Sequence, residues 1–132
     1  MEFRKFDKSE RSTFPYWFNH WRAFNYVAHK LKAWKFKYLF HDIEKPWLML
    51  LFGGDYKKVQ KWHRTHNSHH VEYPGPKDYE AMIIDWESSR YTKNAHPLTA
   101  IGEANRKLHE GEMGYDDYCK FIATANKLGL KE

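Results

Sequence analysis

Apolar residues recur along most of this chain at intervals of three and four, the spacing of one helix face. Trp17, His20, Phe24, Val27 and Leu31 follow that spacing and predict a helix over about 16–31. A second helix is expected over 35–45 and stops at Pro46, which lacks an N–H and crowds the preceding turn. Pro46 then opens a short turn through Leu51, closed by Gly53 and Gly54. Asp55 is placed to cap a third helix running to about Asn67. Pro76 suits the first turn of a fourth helix over 77–90, with Tyr79, Met82, Ile83 and Trp86 as its buried stripe. Two more helices follow, over 98–108 and 115–128, the last ended by Gly129. The segment "AWKFKYLF" alternates briefly as a strand would, but its lysines and helical flanks argue against one. The fold class expected is all-α, a compact bundle of about five to six helices.

Composition sharpens this picture in three ways. At 132 residues, 42% hydrophobic and 18% aromatic, the chain suits one domain over 1–132 with a substantial core. Cys119 is the one cysteine, which excludes an intrachain disulfide and a cysteine-based zinc site. No apolar run spans a bilayer, and "MEFRKFDKSERS" lacks the order of a signal peptide. The expectation is a cytoplasmic protein without a membrane partner. The net charge of +5 favours anionic partners. Lys30, Lys32, Lys35 and Lys37 concentrate part of that charge, though a solvated helix face would look the same.

Histidine is the unusual residue. Seven of the nine fall between His20 and His70, and such clusters point to metal binding or acid–base work. His20 lies inside the apolar stripe of the first helix, where a buried imidazole needs partners. His29 lies off that stripe, in line with Arg22 and Asn25, as a surface residue would. In "FHDIEKP", His41 and Asp42 are adjacent, and on a helix Lys45 would face the same way as both. An ordinary Asp–Lys pair at a helix end is the plain alternative. "WHRTHNSHH" holds His63, His66, His69 and His70. A continuous helix would align His63, His66, Asn67 and His70, whereas a helix ending near Asn67 would leave His69 and His70 on a turn. Asp85, in "MIIDWE", adjoins the apolar stripe and needs a cationic or metal partner if buried.

The ordered set His20, His41-Asp42, His63 to His70 and Asp85, on an all-α chain, resembles the HD-domain superfamily of metal-dependent phosphohydrolases. "FHDIEKP" is similar to the His-Asp-x-x-Lys stretch common there. "HHVEYPG" is similar to a segment supplying second-metal histidines in the cyclic-dinucleotide branch, but without its glycines. A closer resemblance is to a small family of HD-like bacterial and phage proteins, classed only as a domain of unknown function. It rests on His20, "HDIEK", "WHRTHNSHH" and "MIIDW" in that order, and covers about 18–86. The resemblance implies a metal-site core over about 16–90, with C-terminal helices over 97–128. It prefers His20 to His29, and His63, His69 and His70 to His66. It also implies a bacterial or phage-infected cell.

Histidine and carboxylate donors without thiolate suit Mn, Fe, Co, Ni or Zn. The favoured arrangement holds one divalent ion on His20, His41, Asp42 and Asp85. A second lies on His63 with His69 or His70, bridged by Asp42. Asp42 and Lys45 are the candidate catalytic residues. Lys45, Arg22, Lys35 and Lys37 are candidates to offset phosphate charge on a substrate. Glu44 and Glu72 are candidate proton carriers or supports for the metal ligands. The activity implied is hydrolysis of a nucleotide or related phosphoester by an activated water. Two alternatives stay open: a di-iron oxygenase with the same ligand order, and a non-catalytic basic module for nucleic acid or nucleotides. A homodimer is compatible with either.

Overall fold

In a computed structural model that describes residues 3–7, 10, 13–94 and 99–131, the chain is an all-α bundle. Its six α-helices are α1 (Phe14–Lys30), α2 (Lys45–Leu51), α3 (Tyr56–His66), α4 (Tyr79–Thr92), α5 (Ala100–His109) and α6 (Tyr115–Lys127). Among the described residues there is no strand, only an isolated bridge between Phe6 and Lys93. No helix among them is long and apolar enough to cross a membrane.

Caps set most helix starts. The side chains of Thr13, Asp55, Asp78 and Thr99 accept from backbone N–H groups of the first turns of α1, α3, α4 and α5. Each satisfies a donor that a helix start leaves unpaired. The Asp55 cap is as the sequence predicts. α4 differs: it starts at Tyr79 behind Asp78, so Pro76 lies outside its first turn. Pro97 and Leu98, expected at the start of the fifth helix, lie outside the described residues, and α5 begins at Ala100.

The main correction concerns 35–45. Instead of a helix, the chain makes a short 3-10 turn, Phe36–Phe40, and then a corner at His41 and Asp42. Asp42 has φ 55°, in the left-handed region, which no continuing α-helix permits. Two indoles hold the corner against α1. Trp17 Nε1 donates to the Asp42 carbonyl at 2.7 Å, and Trp21 Nε1 to the Leu39 carbonyl at 2.9 Å. Pro46 lies in the first turn of α2, where its missing N–H has no cost.

α4 is the central helix, buried around much of its circumference. On one side Ala81 and Ile84 pack with Phe24, Val27, Ala28 and Tyr38. On the other, Met82 and Ile83 pack with Ala100, Ile101, Ala104, Met113, Phe121 and Ala125. α5 and α6 thereby back α4 from the side away from α1. Buried Glu87 joins the two halves by accepting the Ala100 N–H at 2.6 Å.

Candidate metal centre

The corner after the 3-10 turn points two side chains at one spot. His41 stacks flat on Phe24, ring centroids 3.6 Å apart and planes 11° off parallel. Asp42, turned by its left-handed backbone, projects beside it. His20 comes from the inner face of α1 and Asp85 from α4, the two helices with the most extensive mutual packing. All four are buried. His20 Nε2 is 2.8 Å from Asp85 Oδ1, 3.6 Å from Asp42 Oδ2 and 3.3 Å from His41 Nε2. His41 Nε2 is 3.2 Å from Asp42 Oδ2 and 3.4 Å from Asp85 Oδ1.

A second group adjoins it. α3 ends at His66, and Asn67 leaves the helical conformation, so His69 and His70 lie on the following turn and fold back. That settles the two readings of "WHRTHNSHH" in favour of the turn. His63 Nε2 is 3.1 Å, and His69 Nε2 3.2 Å, from Asp42 Oδ1. His63, His69 and His70 each offer a nitrogen within 4.8 Å of the others. His63 Nδ1 donates to Glu44 Oε1, which also accepts from Asn67 Nδ2 at 3.0 Å. That contact fixes His63 with Nε2 free toward Asp42.

These residues fit a metal on two grounds. Metal–donor bonds of about 2.0–2.2 Å put neighbouring donors about 2.8–3.6 Å apart, from square to tetrahedral angles. The five separations in the first group run from 2.8 to 3.6 Å. In the second, Asp42 Oδ1, His63 Nε2, His69 Nε2 and His70 Nε2 are buried without a hydrogen-bond partner. They approach one another without the alignment of ordinary hydrogen bonds, as donors gathered around an ion would. Buried polar atoms left so are rare unless something else satisfies them.

The electrostatics agree. Burial raises the Asp42 carboxyl, but His41, His63, Lys45 and His69 outweigh it and hold Asp42 well below the usual carboxylate range. Asp85 is lowered in the same way, burial being outweighed by His20 and His41. Burial pulls His41 down, but Asp42 and Asp85 push it up to about 9. His63 is raised despite burial, by Asp42 and Glu44. His20 and His70 are lowered, chiefly by burial. The site is thus a pair of fixed carboxylates that draw positive charge into a buried position.

The structure brings His20, His41, Asp42, Asp85, His63, His69 and His70 together. His29 is exposed and stacks on Trp34, and His66 is exposed and stacks on Trp62. Lys45 Nζ lies 3.8 Å from Asp42 Oδ2, although the helical alignment expected for 41–45 is absent. Lys37 pairs with Asp78 at 2.6 Å and Lys35 with Glu80 at 3.5 Å. Arg22 lies over the Phe3 ring. Glu44 contacts the cluster, whereas Glu72 is exposed. Trp17 and Phe24 read in the sequence as core residues, yet one holds the Asp42 corner and the other seats His41. The available signal was the indole N–H, which requires an acceptor when Trp is half-buried.

No family model, curated protein or solved structure matches this chain.

Proposed function

We propose that this protein is a metal-dependent phosphohydrolase of the HD-like kind, acting on a nucleotide or related phosphoester. The observation that carries the reading is the two-sided carboxylate of Asp42. Its Oδ2 faces His41 and His20, and its Oδ1 faces His63 and His69. One carboxylate shared by two donor groups is what a dinuclear centre needs. His20, His41, Asp42 and Asp85 would hold one ion. Asp42, His63 and His69, with His70 beside them, would hold the second.

The four-donor group is closed, as structural sites are, while a set of three protein donors keeps a coordination position open. A bound pair of divalent ions supplies an acidified water and neutralises charge at the attacking and leaving oxygens of a phosphoester. Asp42 orients both donor groups. Glu44 fixes the tautomer of His63. Lys45, next to Asp42, adds a positive charge where phosphoryl oxygens would gather. The whole chain would act as one unit, with 16–90 forming the site and α5 and α6 buttressing α4.

The test is elemental analysis of the protein beside His41→Ala and Asp42→Ala, with helical content checked, followed by a nucleotide and phosphoester screen. The expected result is stoichiometric Mn, Fe, Co, Ni or Zn in the parent, lost from both folded variants together with phosphoesterase activity. Undiminished activity in Asp42→Ala overturns the reading. So does a parent that takes up no metal on reconstitution. Salt-dependent nucleic-acid binding that survives chelation would then favour a basic binding module.

A further inference from the structure

α2 is a helix turned inside out. Of its seven residues only Leu48 is buried, while Trp47, Leu50 and Leu51 are 71%, 76% and 75% exposed. Phe40 and Ile43, just before it, are also about half exposed. The Trp17 and Trp21 hydrogen bonds hold this corner against α1, exposed Phe14 and Phe18 lie against the same two indoles, and α2 itself touches α1. Phe14, Phe40, Ile43, Trp47, Leu50 and Leu51 leave about 750 Å² of largely apolar surface in water at these exposures. The largest apolar patch on a typical monomer is about 300–600 Å². A standard protein interface takes about 800 Å² from each partner.

Beside this ridge is a slot. A pocket of about 280 Å³ opens between the end of α2 and the outer face of α3, lined by Phe52, Lys58, Lys61, Trp62, Thr65 and His66. One wall is the flat stack of Trp62 on His66, with ring centroids 4.1 Å apart. A cavity of about 150 Å³ accepts benzene, so this one has room for an indole or a leucine side chain. The ridge and the slot meet at the end of α2, where exposed Leu51 is followed by Phe52 in the slot wall, with lysines at the slot's rim, where polar groups belong in an interface.

We propose that this face is a twofold interface with a second copy of the chain, in which the α2 ridge of each copy seats in the Phe52–Trp62–His66 slot of the other. Ridge and slot on one surface are what an isologous contact requires. A lipid surface is the competing occupant: Lys58 and Lys61 stand at the slot's rim, but α2 carries no basic face of its own. Helices that lie in a membrane interface carry a Lys- or Arg-rich polar face. The single charge on α2, Lys45, turns toward Asp42. Lys35 and Lys37, beside the patch in sequence, are paired with Glu80 and Asp78. The inference does not depend on the metal or its chemistry.

The test is sedimentation equilibrium of the full chain at micromolar concentration, with anionic vesicles in a parallel run. The parent is expected at twice its 16.0 kDa chain mass, and the Leu50→Glu/Leu51→Glu double variant at the single-chain mass with unchanged helical content and metal content. Trp62→Ala, on the slot side, is expected to weaken the dimer more than tenfold. Should the double variant fail to fold, Leu51→Lys alone takes its place. A monomeric parent overturns the proposal, as does a mass above two chains or a dimer indifferent to these substitutions. A monomeric parent that pellets with vesicles, and loses that property in Leu51→Lys, assigns the face to lipid instead.

Discussion

Glu44 accepts a hydrogen bond from Nδ1 of His63, and Nε2 of the same ring lies 3.1 Å from Asp42 Oδ1. A carboxylate behind a histidine fixes its tautomer, orients the ring and raises its basicity as a ligand. Of the first group's donors Glu44 lies near Asp42 alone, within 4.8 Å, with no hydrogen bond or ion pair between the two carboxylates. Glu44→Ala is therefore expected to weaken the second metal by about 10–100-fold, the usual cost of losing such a support. The first metal should stay at parental affinity, and Glu44→Gln should recover part of the loss. Competition titration with a chromophoric chelator reads both affinities. Equal loss of both ions would mean that Glu44 acts through folding alone.

Asp42 and Asp85 make separable predictions because Asp42 faces both donor groups and Asp85 only one. Asp42→Ala is expected to take the metal content from two ions per chain toward none. Asp85→Ala is expected to remove one and leave the ion on His63 and His69. Elemental analysis after gel filtration distinguishes them. Identical metal content in the two variants would refute the bridging role.

Much of this arrangement was legible in the sequence, and the illegible parts share a cause. The apolar spacing located α1 and one face of α4, which is in fact buried around much of its circumference, while Asp55 and Gly129 marked the start of α3 and the end of α6. His20 and Asp85 could be singled out because they interrupt those stripes with groups that need partners. The 35–45 segment misled because its flanks are helical and its break depends on tertiary contacts. Asp42 adopts a left-handed backbone against indoles some 20 residues earlier, and local spacing carries no trace of that. The ligands His41 and Asp42 converge because of this break, not because of helical alignment. Likewise the pairing of Lys35 and Lys37 with α4 is a long-range contact that no pattern of charges announces.

The corner itself can be tested through Trp17. Trp17→Phe keeps an aromatic ring against α1 but removes the donor to the Asp42 carbonyl. A net hydrogen bond is worth about 1 kcal/mol, and more when a buried acceptor is left unpaired. The expected outcome is a loss of about 1–2 kcal/mol of stability together with weaker metal binding, since Asp42 is held less firmly. Trp21→Phe serves as the control: it frees the Leu39 carbonyl, which belongs to neither ligand residue, and should cost stability with less effect on metal affinity. Metal affinity unchanged in Trp17→Phe would show that the corner holds its shape without the indole.

Metal removal should be visible in thermal unfolding. A ligand present at about 100 times its dissociation constant stabilises the native state by about 2.7 kcal/mol. For a chain of this size that corresponds to roughly 10 °C. Stripping the protein with a chelator is expected to lower the melting temperature by about that much, and restoring the metal to bring it back. A melting temperature indifferent to chelation, in protein shown to have lost its metal, would mean that the ion does not stabilise the fold, and would count against a site built from donors of α1, the 41–42 corner and α4.

The last prediction concerns acid stability and lies away from the metal ligands. Asp78 caps α4 by accepting the Ala81 N–H at 3.0 Å and pairs with Lys37 at 2.6 Å. Burial raises its carboxyl, but Lys37 and the Ala81 N–H outweigh it, so its pKa falls below 3.8 in the folded chain. A carboxyl with a depressed folded pKa binds fewer protons folded than unfolded between the two values. Its stabilisation is complete above the unfolded pKa and is lost as pH falls through the folded one. Asp78→Asn keeps a capping oxygen and removes the charge. Because Lys37 is more than half exposed, the variant is expected to lose only about 0.5–1 kcal/mol at pH 7. That gap should begin to narrow as the pH falls past the unfolded carboxyl's value and close once it passes the lower folded one, when the parent carboxylate is itself protonated. Urea unfolding of both proteins at neutral and acid pH measures it. A gap that holds constant on acidification would place the contribution of Asp78 in its shape and not in its charge.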